Sequence, residues 1–382
     1  MRRNKAIMPV STAFVATVFI AALASLAACS GGGVKPQPSE LQAVPAGGVA
    51  KLVWSSRVGA VNFPMQVSVN GDTLTLAGSE GAVVAIDARA GRELWKFSLN
   101  EPLSAGVGSD GATAAVVTQS AQLVAVSQGR ELWREKLSAQ AYTAPLVAGE
   151  RVFVLAADRS VSAFDGKTGR KLWSQQRPGE PLVLRQPGVL LPVGNTLVVG
   201  LSGRLTGMNP LDGSVLWEAP IASPRGINDV ERLDDLVGRA SRVGTSVCVR
   251  AFQARVGCVD AAGGALQWSK VAGGISGLSG DELLLAGTEA DGKVLAWRRQ
   301  DGESLWNTDR LRYRDVTAPL VAGRSLALGD FQGFVHFLSR KDGSLLNRLA
   351  TDGSAVVTAP VLAAGTVVVV TSAGGVFGFA PE

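Results

Sequence analysis

Histidine occurs once in this chain of 382 residues, at His336, and tyrosine occurs twice, cysteine three times. A single histidine argues against a His-dependent triad, a proton shuttle or a His-rich metal site. No Cys-x-x-Cys is present, no Gly-x-Ser-x-Gly elbow, no P-loop and no His-Glu-x-x-His. No Gly-x-Gly-x-x-Gly leads into a helix either, so the usual nucleophile, phosphate and zinc signatures are missing. Charged residues make up only 18% of the chain, against 46% apolar residues and 46 glycines. That composition excludes a disordered chain and fits an all-β protein rich in tight turns.

What is present is a repeat. The phrase Asp-x-x-x-Gly-x-x-Leu-Trp occurs at 87–95 and 165–173, and with Asn for Asp at 209–217. Looser copies lie at 127–133, 260–268, 298–306 and 339–347, the last with Asn347 in place of tryptophan. Seven of the eight tryptophans fall on this grid, at steps of 38 to 51 residues. A period near 40 residues with short strands indicates a radial or stacked array, a kind of fold that commonly serves as a surface for partners.

One unit, 143–173, shows what each repeat builds. Three short apolar or alternating runs, at 143–147, 151–155 and 160–164, are separated by turns, and 171–174 follows the Asp-Gly-Lys-Thr-Gly turn as a fourth strand. Asp165 is a turn-former there, and Gly169 is free to take positive φ. Nothing has helical period. Four antiparallel strands per repeat describe a β-propeller blade. Fourth strands centre on 54, 95, 133, 173, 217, 268, 306 and 347, which gives eight blades, with seven as the alternative. Trp54 has no three strands before it, and 357–379 supplies three strands with no fourth after them. Residues 51–57 are therefore expected to complete the last blade, closing the ring and removing exposed edges. The tryptophans, Trp297 included, are expected to be packing residues, and His336 a structural residue.

Residues 1–28 read as a secretory leader: Arg2, Arg3 and Lys5 precede an apolar run at 13–26. The segment ending Leu26-Ala-Ala-Cys29 resembles a bacterial lipobox, which implies lipidation of Cys29; Ser30, not being Asp, implies sorting to the outer membrane. Residues 29–50 then form the lipidated Cys and a flexible tether, and 51–382 the propeller. No other apolar stretch is long and uninterrupted enough to span a bilayer, so the acyl chains are the expected anchor. Subtracting the three basic leader residues from 37 Lys+Arg leaves 34 against 32 Asp+Glu, a mature charge of only +2. A basic groove for nucleic acid is not indicated. Cys248 and Cys258 lie on the two arms of a hairpin in the fifth blade, either joined by a disulfide or left as buried thiols.

Loop lengths locate a candidate binding site. Most connectors between blades are short, but two consecutive ones, 175–186 and 219–236, are long, and neighbouring blades place them side by side on one rim. The first presents Leu182, Leu184 and Arg185, an apolar-plus-guanidinium mixture typical of interface cores. The second carries an acidic segment. A third connector, 308–316, is basic through Arg310, Arg312 and Arg314, suited to a further partner or to solvent.

Two resemblances follow from these residues. The repeat resembles that of pyrroloquinoline-quinone dehydrogenases, which are eight-bladed propellers, but the adjacent Cys pair and the haem motif of those enzymes are absent. The whole chain, from the lipobox at Cys29 through the tether to the blades, is most similar to the BamB family, lipoprotein propellers of the outer-membrane β-barrel assembly (BAM) machinery. That resemblance implies a non-catalytic protein with no cofactor and no metal. It implies docking on the POTRA domains of BamA, contact with other BAM subunits, and at most a secondary role with unfolded outer-membrane proteins. It also implies partner contacts at Leu182, Leu184, Arg185 and Asp235. Val237 stands where the family pattern has a second acid, a place Asp234 would have to fill. The competing readings are a quinoprotein-like enzyme using the central channel and a module that binds an envelope polymer.

Overall fold

The computed structural model describes residues 36–45, 48, 50–178, 182–223 and 233–381. The leader and Cys29 lie outside the described residues, so their assignment stays an expectation. From Pro38 onward the chain forms one compact unit of eight four-stranded antiparallel sheets. Seven are contiguous, spanning 68–98, 103–136, 146–176, 190–220, 236–271, 279–308 and 320–350. The eighth joins Val361–Ala363, Thr366–Val370 and Gly375–Pro381 to the N-terminal strand Ala50–Arg57. The ring closes as the strand count requires. Among the described residues there is no helix, and none long and apolar enough to cross a membrane.

At five of the blade junctions the repeat motif is half of a lock between blades, whereas the Trp217 indole N–H has no hydrogen-bond partner among the described residues. The turn Asp accepts from backbone amides two and three residues on, as Asp165 does from Lys167 and Thr168 at 3.1 and 2.9 Å. The turn Gly takes φ of 76° at Gly169, and a Cβ there would lie 2.7 Å from the indole of Trp133 in the preceding blade. Only glycine lets the turn lie flat on that ring. The same indole donates to the carbonyl of Gly166, one residue after the Asp, at 2.9 Å. Trp54, Trp173, Trp268 and Trp306 repeat the bond one blade on, to Ala88, Pro210, Arg299 and Arg340.

The exception explains itself. Blade eight is completed by the N-terminal strand, so no turn joins its third and fourth strands, and the glycine that lies against Asn347, Gly48, belongs to no such turn. Asn347 replaces the tryptophan at that seam and donates to the Ala50 carbonyl at 3.0 Å.

Apolar clusters fill the spaces between blades. Leu74, Leu76 and Ile86 of blade one, for example, pack on Val368, Val370 and Val376 of blade eight. Cys248 and Cys258 are register partners on adjacent strands of blade five, fully buried and disulfide-bonded, with Trp297 in the same cluster.

Two expectations need correction. Ring closure does not remove edges, because the fourth strand of every blade ends its sheet on the outer circumference. Those edges are short and most carry charges, as in Arg130–Lys136 and Glu93–Ser98, which discourages strand addition. Nor is all of 29–50 a free tether. Ser39 donates its amide to the Arg312 carbonyl at 2.9 Å and accepts from Arg314 at 3.1 Å, and the Gln42 carbonyl accepts from Arg348 at 2.9 Å. The arginines of the 308–316 connector are thereby engaged within the chain. Arg310 bonds the Gln42 side chain, Arg312 pairs with Asp291 at 2.7 Å, and Arg314 pairs with buried Asp330 at 2.7 Å.

Candidate partner-docking site

The two long connectors meet, and the meeting point is a carboxylate. Asp235 stands just before the first strand of blade five, Leu236–Val243. One of its oxygens accepts from the Leu184 amide at 3.0 Å, and the other pairs with Arg159 at 3.2 Å. Arg159 in turn donates to the Leu182 carbonyl at 3.1 Å. A guanidinium and a carboxylate thus hold the 182–184 backbone from beneath. Two further bonds continue the fit: Gly188 donates to Thr143 Oγ1 at 2.9 Å, and Gly238 donates to the Pro187 carbonyl at 2.7 Å.

This clamp sorts the expected contact residues. Leu182 is 41% exposed, Arg185 is exposed and Leu184 is half-buried. The Arg185 guanidinium lies 5.7 Å from the centre of the Tyr142 ring, a cation–π placement that steadies it without burying it. Asp235 does not bond Arg185: its oxygens serve Arg159 and the Leu184 amide. Asp234 is 5% exposed and packs against Gly203, so it does not stand on the outer face as a substitute acid. Val237 is buried as well, in the strand, in register with Arg250. A side chain at 237 belongs to the sheet and offers nothing to a partner. The remainder of each long connector, 179–181 and 224–232, lies outside the described residues.

Arg159 and Tyr142 were not singled out from the sequence. Arg159 holds φ of 65° at the end of a tight turn, a place where glycine or asparagine is the readable signal. Nothing local marks an arginine there as the partner of a carboxylate 76 residues away.

Away from this rim, titratable clusters are structural. His336 is fully buried in blade seven, with Nε2 2.9 Å from Asp330, which also pairs with Arg314. Burial lowers the His336 pKa from its ordinary value more than Asp330 raises it. Among the described residues no group of three or more His, Cys, Asp or Glu side chains is placed to hold a metal ion.

Comparison with known proteins bears on the fold and the family. The family model described as outer membrane protein assembly factor BamB matches residues 79–308. The protein of that name from Burkholderia pseudomallei is 36% identical over 334 residues, covering 86% of this chain and 88% of its own. That from Bordetella pertussis is 34% identical over 342 residues, covering 88% and 89%. Among solved structures, BamB from Moraxella catarrhalis superposes with a TM-score of 0.79 at 22% identity, covering 87% of this chain and all of that one. A quinohemoprotein alcohol dehydrogenase from Comamonas testosteroni reaches 0.65 at 14% identity over 86% and 76%, a likeness of fold alone. With eight closed blades and a family match across most of its length, the chain belongs to the BamB family of outer membrane protein assembly factors.

Proposed function

We propose that this protein is a non-catalytic scaffold of outer-membrane protein assembly, anchored through a lipidated Cys29 on the periplasmic face of the outer membrane. In this reading it docks on the POTRA domains of BamA through the rim formed by Leu182, Leu184 and Arg185. Family membership supports the assembly role. The observation that carries the site is the Asp235–Arg159 clamp, which fixes the loop backbone while leaving Leu182 and Arg185 outward.

The magnitudes suit a docking rim. Leu182 already has more than half its surface covered, so burying the rest contributes about 1 kcal/mol, below the roughly 1.5–3 kcal/mol of full burial. Arg185, stacked on Tyr142 and so partly pre-ordered, would add about 1.5–3 kcal/mol through charged hydrogen bonds to a partner carboxylate or carbonyl. Asp235 acts through the loop as a positioning residue.

The test is binding of the full chain to the POTRA array of the same organism's BamA, comparing wild type with Arg185→Ala. Loss of at least tenfold in affinity by a variant of unchanged melting temperature supports the role and the site. Full binding by the variant moves the site elsewhere, and no binding by wild type refutes the docking role.

A further inference from the structure

The centre of the ring is a channel of about 660 Å³, within the roughly 300–1,000 Å³ of small-ligand sites. Its wall is made by the first strand of each blade or the residues just before it, and it mixes apolar side chains such as Met65, Val107, Leu146 and Ile275 with polar ones such as Gln66, Ser109 and Thr317. Three charged side chains face it, Arg185, Arg239 and Asp315.

Arg239 is the unusual one. It sits on the first strand of blade five, where the register with the next strand shifts between Val237 and Ser241. Gly238 takes φ of 70° there, and the irregularity re-aims the following side chain into the channel. The backbone is held in that course by blade six: Leu278 donates to the Arg239 carbonyl at 2.8 Å, and a Cβ on Gly277 would meet the Arg239 nitrogen at 2.3 Å. The side chain is exposed to the channel water, and the protein mass of the ring around it lowers its pKa from the ordinary value. Among the described residues no carboxylate or carbonyl bonds to it. Two arginines buried between the blades, away from the channel, have carboxylate partners. Arg250 pairs with Glu289 at 3.2 Å, and Arg314 pairs with Asp330. A guanidinium that faces the channel with no bonded counter-charge is available to an anion entering it.

The geometry points to the channel as a binding site for the C-terminal carboxylate of an extended, apolar peptide segment, with Arg239 as the anchor. Three features select that chemistry. Two guanidiniums against one carboxylate leave the lining with a single net positive charge, which matches a monoanion better than a phosphate dianion. The apolar part of the wall, with Met65, Val107, Leu146 and Ile275, suits apolar side chains next to the carboxylate. The first strand of every blade is also an end strand of its sheet, and the backbone groups there that the neighbouring blade does not engage, as it does at Gln66, Gly238 and Arg239, are the ones an extended peptide would pair with. A fatty acid would leave those groups unmatched. This site is separate from the POTRA rim in its ligand, although Arg185 borders both, and its test uses no BAM subunit.

The probe is fluorescein-labelled Gly-Val-Thr-Val-Leu with a free C-terminus, titrated with the full chain by fluorescence anisotropy. Alongside run the same peptide as its C-terminal amide, the Arg239→Gln and Asp315→Asn variants, and decanoate as a competitor. The expected result is saturable binding of the acid, at least tenfold weaker binding of the amide, and at least tenfold weaker binding of the acid by Arg239→Gln. Asp315→Asn should bind as tightly or more tightly. The amide comparison uses the wild-type protein, so it stands even where a variant misfolds. Equal affinity for acid and amide overturns the proposal, as does undiminished binding by a folded Arg239→Gln. Absence of binding up to concentrations on the order of 1 mM overturns it also, and decanoate binding more tightly than the peptide overturns the choice of a peptide.

Discussion

Replacing Asp235 with alanine removes the group on which both long connectors converge. The carboxylate pairs with Arg159, whose side chain is 8% exposed while that of Asp235 is 16% exposed, and it accepts the Leu184 amide. Breaking a well-buried ion pair from one side costs about 3–5 kcal/mol. The figure is smaller here, about 2–3 kcal/mol, because Arg159 keeps its bond to the Leu182 carbonyl and water can reach the vacated position. That energy holds a loop rather than the ring, so it is expected as local opening and not as global melting. At 1.4 kcal/mol per decade, 2–3 kcal/mol corresponds to roughly 30- to 150-fold faster exchange of the Leu184 amide, read by native-state hydrogen exchange. Amides at the blade seam, such as Val367, should exchange unchanged. Asp235→Asn, which retains an acceptor but loses the charge, should fall between. POTRA binding should weaken in parallel if the loop it positions is the docking surface. Unaltered Leu184 exchange in a folded Asp235→Ala protein would refute the clamp and the positioning role built on it.

Further expectations concern the ring itself. Gly169→Ala places a side chain at φ of 76° and 2.7 Å from the Trp133 indole, so it should destabilise by at least about 1–2 kcal/mol, lowering the chemical-denaturation midpoint, whereas Gly149→Ala, with the same sign of φ but open space, should lose only the backbone part. Replacing both Cys248 and Cys258 with alanine frees a loop with a sequence separation of 10 and should cost about 2–3 kcal/mol, seen as a melting temperature that no longer responds to reductant. His336 has its pKa held below 6.5 chiefly by burial. The unfolded chain therefore takes up a proton first as pH falls, and the stability this residue contributes is complete above 6.5 and declines below it. His336→Gln should flatten the fall in melting temperature between about pH 7 and pH 5; an identical slope in the variant would show that the buried histidine is not responsible.

Much of this architecture could be read without coordinates because its signals are local and repeated. An Asp that caps its own turn, a Gly that must take positive φ and a Trp at a set distance recur along the chain, and counting them is enough to find eight blades and the shared last one. Trp306 and Asn347 occupy equivalent places, yet why one is an indole and the other an amide is apparent only at the seam, where Ala50 supplies a carbonyl and no glycine turn arrives. The candidate rim was legible for a similar reason: two successive long connectors on adjacent blades must be neighbours.

Decisions involving residues far apart in sequence belonged to the tertiary structure. A carboxylate at 235 and an exposed-looking arginine at 159 acquire their meaning from 3.2 Å of separation across two blades. Asp234 and Asp235 are adjacent and chemically identical, yet one is buried against Gly203 and the other clamps a loop, because strand pleat and turn direction, not composition, choose the side each faces. The basic connector looked free for a partner until Ser39 and Gln42 were found against it. By itself, then, the chain's order of residues determined the blade count, the closure and the turn chemistry, since these rest on contacts within one repeat period. Which charges are matched, which are buried and which, like Arg239, face a channel without a partner depends on how eight blades converge, and burial and electrostatics are properties of that convergence alone.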